Sequence, residues 1–273
     1  MNSSPPPFAV IILAGGEGRR IGGGKPQRRL AGTTLLDRAL ALASSWSAEV
    51  AVAIRHPAQA PAGVDVVIDD PAIDGPLSGL LAALRRGRSR GCHAVLTIPC
   101  DMPFLPADLP ERLLKALAET GPSVAVAASG EHLHPVCAMW TPDAEATLLR
   151  EAAAGRLSLT NLTEQLNRRV VHWPIADVEH FRFSPKREKS LSFCFDAFSS
   201  REAVPTSLEN AIEHFRFSPK REKSLSFCFD AFSSREAVPT SLENAIDPFF
   251  NINTPEELAW SEAFLTKPAQ QSI

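Results

Sequence analysis

The chain has 273 residues, with 28 Lys and Arg against 31 Asp and Glu, for a formal net charge of −3 at pH 7. That balance gives no electrostatic case for a nucleic-acid or acidic-membrane binder, and no apolar segment approaches the roughly 20 residues of a bilayer-crossing helix. The opening Met1 to Pro7 lacks the basic and apolar stretches of a secretory signal, and Cys92, Cys100, Cys137, Cys194 and Cys228 show no CxxC or Cys/His metal spacing, so free thiols and a cytoplasmic location are expected.

The first element is an apolar run at residues 8–12, continuous rather than alternating, which reads as a buried parallel strand. It empties into Leu13-Ala14-Gly15-Gly16-Glu17-Gly18-Arg19-Arg20-Ile21-Gly22-Gly23-Gly24-Lys25, a stretch holding six of the chain's 15 glycines. Glycine lets the backbone come close to a polyanion, successive N–H groups form an anion cradle, and Arg20 and Lys25 add full charges. The loop is neither of two familiar phosphate binders. A P-loop needs a glycine where Arg19 stands and a hydroxyl where Pro26 stands; a dinucleotide fingerprint needs its third glycine where Ile21 stands.

Beyond the loop, helical spacing at 34–45 is followed by β-like runs at 49–54 and 64–68, a helix at 79–86 and a buried strand at 94–98. A helix at 106–120 and a strand at 123–128 continue the alternation. This pattern predicts an α/β sandwich with a mainly parallel sheet, whose ligands bind beyond the carboxyl ends of the strands. Two acidic turns fall at those ends. Asp69-Asp70-Pro71 precedes Gly75-Pro76, where a carboxylate can accept from a base or ribose. Asp101, fenced by Pro99 and Pro103, faces the cationic loop and suits a Mg²⁺ that also takes triphosphate oxygens. His134-Pro135 follows Gly130-Glu131 and carries a weaker signal.

Residues 179–212 recur without a change as residues 213–246. The period of 34 matches a helical-hairpin repeat, but that repeat's signature residues are absent and two units rarely bury a continuous core. The segment carries 10 of the 15 phenylalanines, and its charges cancel. It reads as an in-frame tandem duplication, expected as a surface loop or partly disordered segment, because lengthening a surface connection costs little. Residues 1–178 and 247–273 then form the domain proper. Near its end, residues 249–253 read as a short strand running into a helix with a Thr254-Pro255-Glu256-Glu257 capping box. Asn251 and Asn253 alternate with apolar neighbours and so share a face.

Together these segments resemble the molybdenum cofactor guanylyltransferase family, within the Rossmann-like nucleotidyltransferases of the nucleotide-diphospho-sugar transferase type. The ordered motifs are LAGG followed by Arg-Arg, an apolar residue, glycines and a lysine, then DD…GPLxG, PCDxP, GExxHP and NxNTPEEL, over residues 8–178 and 247–265. LAGG in place of LAAG favours guanine. The resemblance implies a three-layer sandwich and Mg²⁺-dependent transfer of GMP from GTP to molybdenum-molybdopterin with release of pyrophosphate. It places Leu13, Ala14 and Gly15 at the guanine and ribose, Lys25 and Arg20 at the triphosphate, Asp70 at the nucleoside, and Asp101 at Mg²⁺ and GTP. His134, Asn251 and Asn253 would face the pterin. It further implies a monomer with transient contacts to other molybdenum cofactor proteins and acceptor molybdoenzymes. Two departures accompany it: Gly24 stands where the family often has Asp, and Ala53 where an asparagine contacts the nucleotide, that contact being lost or supplied by Arg55. The alternatives are a molybdopterin cytidylyltransferase or other CTP- or UTP-dependent enzyme, and a non-enzymatic nucleotide-binding module.

Overall fold

Alternate residues of the first strand, β1 (Phe8–Leu13), face opposite sides of a sheet, and both sides are apolar. Ala9 and Ile11 enter one core and Val10 and Ile12 the other, all fully buried. A strand apolar on both faces needs cover on both, which dictates three layers. In the computed structural model, which describes residues 8–15, 23–119, 121–177 and 245–266, helices supply that cover. The chain runs through β2 (Arg29–Leu30), β3 (Thr33–Thr34), α1 (Leu35–Trp46), β4 (Val50–Ile54), β5 (Val66–Ile68), α2 (Pro76–Ser89), β6 (Ala94–Pro99) and α3 (Leu109–Ala118). It continues through β7 (Val124–Ser129), β8 (His132–Trp140), α4 (Ala144–Ala153), α5 (Leu159–Gln165), β9 (Arg168–Trp173), β10 (Ala176–Asp177), β11 (Ala245–Ile246) and α6 (Pro255–Thr266).

The main sheet has seven strands in the order β5-β4-β1-β6-β8-β7-β9. β8 alone runs antiparallel to its neighbours β6 and β7, so the expected mainly parallel α/β sandwich is the fold observed. Leu36 of α1 and Leu109 and Leu113 of α3 pack on Val10, Ile12, Val52, Leu96 and Ile98. On the other face Leu77, Leu80 and Leu84 of α2, with Leu148 of α4 and Leu162 of α5, pack on Ala9, Ile11, Ala51 and Val95. β1 pairs with β4 on one side and β6 on the other. Strand order therefore reverses beside β1, and the crevice at its carboxyl end is where such sheets bind ligands.

The segment expected as a strand at 249–253 is not one. It is an irregular stretch docked across the end of the sheet, with Ile252 N–H donating to the Asp101 carbonyl at 2.9 Å. One backbone bond, the buried Phe249 and Ile252 side chains and the contacts of Asn251 and Asn253 with Lys25 hold it there without a ladder. The capping box is present: Glu257 Oε2 accepts from the Asn253 and Thr254 N–H groups at 2.6 and 2.9 Å, and Thr254 Oγ1 accepts from Glu257 N–H at 3.2 Å. Ile252 packs with Leu30 and Leu35 under α6.

The tandem repeat lies outside the described residues except for its last two. Ala245 and Ile246 form β11, which pairs antiparallel with β10 in the register Ala176↔Ile246 and Asp177↔Ala245. Ile246 is buried at 1% exposure. The boundary drawn at Asp247 therefore moves upstream, because the end of the second repeat unit supplies a strand and a core side chain. Deletion of residues 179–212 leaves every described contact in place and is expected to shift Tm by no more than about 2 °C. Ile246→Ala empties a core position and is expected to destabilise by about 2–4 kcal/mol. Thermal and denaturant unfolding of the two variants check both outcomes.

Candidate active site

β6 ends at Pro99, and the next turn presents Asp101, whose side chain is 13% exposed. Lys25 reaches it from the far side of the glycine-rich loop. Its position is set by Gly24, which adopts φ +59 and turns the chain into a 3-10 turn over Lys25–Gln27. That conformation suits glycine because it has no Cβ to clash. Lys25 Nζ forms an ion pair with Asp101 Oδ2, donates to Asn253 Oδ1 at 2.8 Å and lies 3.5 Å from Asn251 Oδ1. The two amides flank Ile252, whose side chain is fully buried on the opposite side. Burying Ile252 is what aims both asparagines at the lysine.

Three oxygens thus surround one ammonium group, which has three N–H bonds to give. Burial pushes the Asp101 carboxyl above its usual range, and the charge and hydrogen bond of Lys25 oppose that shift. Asp101 Oδ1 is buried with no hydrogen-bond partner. A desolvated carboxylate with a spare oxygen suits a cation. Among the described residues no three His, Cys, Asp or Glu side chains gather at a metal-holding distance. The neighbouring Cys100 thiol, buried beside the Asp101 charge, is pushed up to about 12. It is an inert packing group.

A second carboxylate lies across β1. Asp69, at the end of β5, is buried, and its Oδ1 also lacks a partner. It sits in a gap made by two glycines: a Cβ on Gly15 would fall 2.7 Å from Asp69 Oδ2, and one on Gly79 would fall 3.3 Å from Oδ1. Burial raises its pKa, while the adjacent Ser78 hydroxyl and the charge of Arg55 lower it. Ser78 and Gly79 lie in the first turn of α2, whose positive dipole end favours an anion.

Asp70 is placed elsewhere. Its Oδ1 accepts from the Ala72 N–H at 3.0 Å and its Oδ2 pairs with Arg85 at 3.0 Å. Asp69 packs against Gly15 and the first turn of α2, whereas Asp70 reaches Arg85 further along α2; both border an open surface pocket with Pro71, Arg86 and Ser89. Asp70 thus engages Arg85 and the Ala72 backbone, while its neighbour Asp69 is the carboxylate that lies against Gly15. The adjacent pair of aspartates signalled the turn but not which carboxylate faces inward.

Of the other expected residues, Leu13, Ala14 and Gly15 leave β1 beside Asp69, and Ala14 N–H donates to the Ala53 carbonyl at 3.0 Å. Arg20 lies outside the described residues. His134 joins neither carboxylate. Its Nε2 is 2.7 Å from Ser129 Oγ, which donates to Asp247 Oδ2 at 2.8 Å, and its ring stacks on Phe249 at 4.6 Å. Burial holds the His134 imidazole below its ordinary value, with Asp247 pulling the other way and His132 adding to the depression. Ser129 and Asp247 went unnoticed in the sequence, which contains no local signal joining residues so far apart.

Comparison with known proteins places this geometry in context. The family described as MobA-like NTP transferase domain matches residues 10–170. The chain is 43% identical over 141 residues to the molybdenum cofactor guanylyltransferase of Nitrobacter hamburgensis, covering 50% of this chain and 68% of that protein. It is 36% identical over 178 residues to the protein of the same name from a Bradyrhizobium species, covering 63% and 84%. Among solved structures, molybdopterin-guanine dinucleotide biosynthesis protein A from Archaeoglobus fulgidus shares the fold with a TM-score of 0.57 at 23% identity, covering 93% of this chain and 96% of that one. The 2-C-methyl-D-erythritol 4-phosphate cytidylyltransferase of Thermus thermophilus shares it at 0.52 and 15% identity, covering 95% and 98%.

The buried Asp69 has a consequence for stability. Its folded pKa lies above the ordinary 3.8, so its favourable contribution is complete below that value and is lost as pH rises through the folded pKa. Asp69→Asn removes the ionisation, and is expected to raise Tm relative to the parent at pH 7–8, with the gain fading towards pH 4. Melting curves across that range give the test.

Proposed function

The chain belongs to the MobA-like NTP transferase family and to its molybdenum cofactor guanylyltransferase branch, and from that premise we propose that it transfers GMP from GTP to molybdenum-molybdopterin. In the reaction an oxygen of the molybdopterin phosphate attacks the α-phosphorus of GTP. The bond from that phosphorus to the α–β bridging oxygen breaks, and pyrophosphate leaves with the electron pair. Such a displacement needs little covalent help from a protein. It needs two anions brought together in line and their charge neutralised.

The observation that carries this reading is the Lys25–Asp101 pair at the carboxyl end of β6, beside the glycine-rich exit of β1. Lys25, with Arg20, supplies positive charge to the triphosphate. Asp101 holds the divalent cation, Mg²⁺ in this proposal, through its carboxylate. That ion supplies neutralisation of the triphosphate and polarisation of the reacting phosphoryl group. Leu13, Ala14 and Gly15 offer backbone groups to guanine and ribose. Asp69, packed against Gly15, faces the same side and accepts from nucleoside donors. Guanine offers two adjacent donors on its pairing edge, which suits a carboxylate.

Asn251 and Asn253 orient Lys25 and border the acceptor side, and His134 supports that border through Phe249. The enzyme acts as a cytoplasmic monomer in this proposal, with transient contacts to the proteins that deliver molybdopterin and collect the product. No helix among the described residues is long and apolar enough to cross a membrane.

Incubation with molybdenum-molybdopterin, Mg²⁺ and equimolar GTP and CTP, followed by separation of the dinucleotide products, tests the assignment. Guanine dinucleotide is expected, and exclusive use of CTP would overturn it. Asp101→Asn is expected to lower kcat by about 10²–10³-fold. Lys25→Ala is expected to raise the KM for GTP as well as lower kcat.

A further inference from the structure

The ammonium of Lys25 occupies a cradle built for a cation. Its three oxygens come from Asp101, Asn251 and Asn253, and the Lys25 and Asp101 side chains are each only 13% exposed. Asp101 brings one negative charge to this cradle, and Lys25 already balances it. A divalent cation entering beside the lysine would add two positive charges to a buried space in which, among the described residues, Asp101 is the one carboxylate paired with Lys25. Burial strengthens that repulsion. An ion that takes Asp101 therefore competes with Lys25, unless the ammonium acquires another partner.

We propose that Lys25 acts as a resident counter-cation that excludes the divalent ion from Asp101 until a nucleoside triphosphate draws the ammonium onto its phosphates. This rests on the reading in which Asp101 holds the metal, and adds an order to it. The triphosphate brings the negative charge that lets Lys25 leave the carboxylate, whose Oδ1 already lacks a partner and which would then be free to hold the metal. Metal and nucleotide then bind with positive coupling, which is reciprocal by linkage. The free enzyme keeps its buried carboxylate neutralised without sequestering metal ions.

Removing this positively charged, substrate-contacting residue should therefore improve metal binding. Mn²⁺ alone, followed by the loss of its free EPR signal at pH 8, is the probe. At that pH Asp101 is best kept ionised after its partner is removed. Lys25→Met, in the full chain without nucleotide, is expected to bind Mn²⁺ at least about tenfold more tightly than the parent, within the range of ordinary coupling. Lys25→Gln, which keeps a polar group against Asn253, is expected to show the same direction, and melting curves show whether each variant is folded. The gain should vanish in Lys25→Met/Asp101→Asn.

Unchanged or weaker Mn²⁺ binding in folded Lys25→Met and Lys25→Gln would overturn the exclusion. If Asp101→Asn bound Mn²⁺–GTP as the parent does, the assignment of the metal to Asp101 would fall instead. The two failures are therefore separable.

Discussion

A single buried ion pair fastens together the parts of this protein that are most distant in sequence. Lys25 stands at the exit of the glycine-rich loop, Asp101 at the end of β6, and Asn251 and Asn253 in the segment leading to α6, more than 220 positions from the lysine. Each partner is intelligible only with the others. Burial alone would favour a protonated Asp101, and the ammonium offsets that penalty. Lys25 in turn has its three protons taken by the carboxylate and two amides. Breaking such a pair leaves an uncompensated buried charge, which costs far more than an exposed pair ever contributes.

The rest of the carboxyl-terminal segment reads as support for that junction. Asp247 caps its start, accepting from the Phe249 N–H at 2.8 Å while also receiving the Ser129 hydroxyl. Phe249 is wedged between His134 and Trp173. Ile252 closes the segment onto Leu30 and Leu35, and its N–H bonds the backbone of Asp101 itself. With the segment held at so many points, and with β10 and β11 bringing residues 177 and 245 side by side, the repeat between them connects two positions that the fold already fixes. A duplication there alters loop closure without asking the core to change.

Much of this was legible in the sequence because it rests on periodicity and on strand ends. Continuous apolar runs gave β1 and β6, and leucine spacing gave α1 and α2. The glycine loop and Asp101 fell at carboxyl ends, where an α/β sheet binds ligands. The shared face of Asn251 and Asn253 was correct although no strand forms there, since extended backbone alternates sides whether or not it joins a ladder. Which of Asp69 and Asp70 packs against Gly15 was not legible. It depends on the phase in which the chain leaves β5, and a one-residue difference exchanges a buried carboxylate for one paired with Arg85. Nor did periodicity show that β8 runs antiparallel, or that Ser129, His134 and Asp247 meet; those follow from topology.

Lys25 and Asp101 act as one unit, each present to compensate the other. A double-mutant cycle on unfolding free energy at pH 7.5, comparing the parent with Lys25→Met, Asp101→Asn and the double variant, tests it most directly. The double variant is expected to lose less stability than the sum of the single losses, with a coupling of about 1–3 kcal/mol. Additivity to within about 0.5 kcal/mol would contradict it.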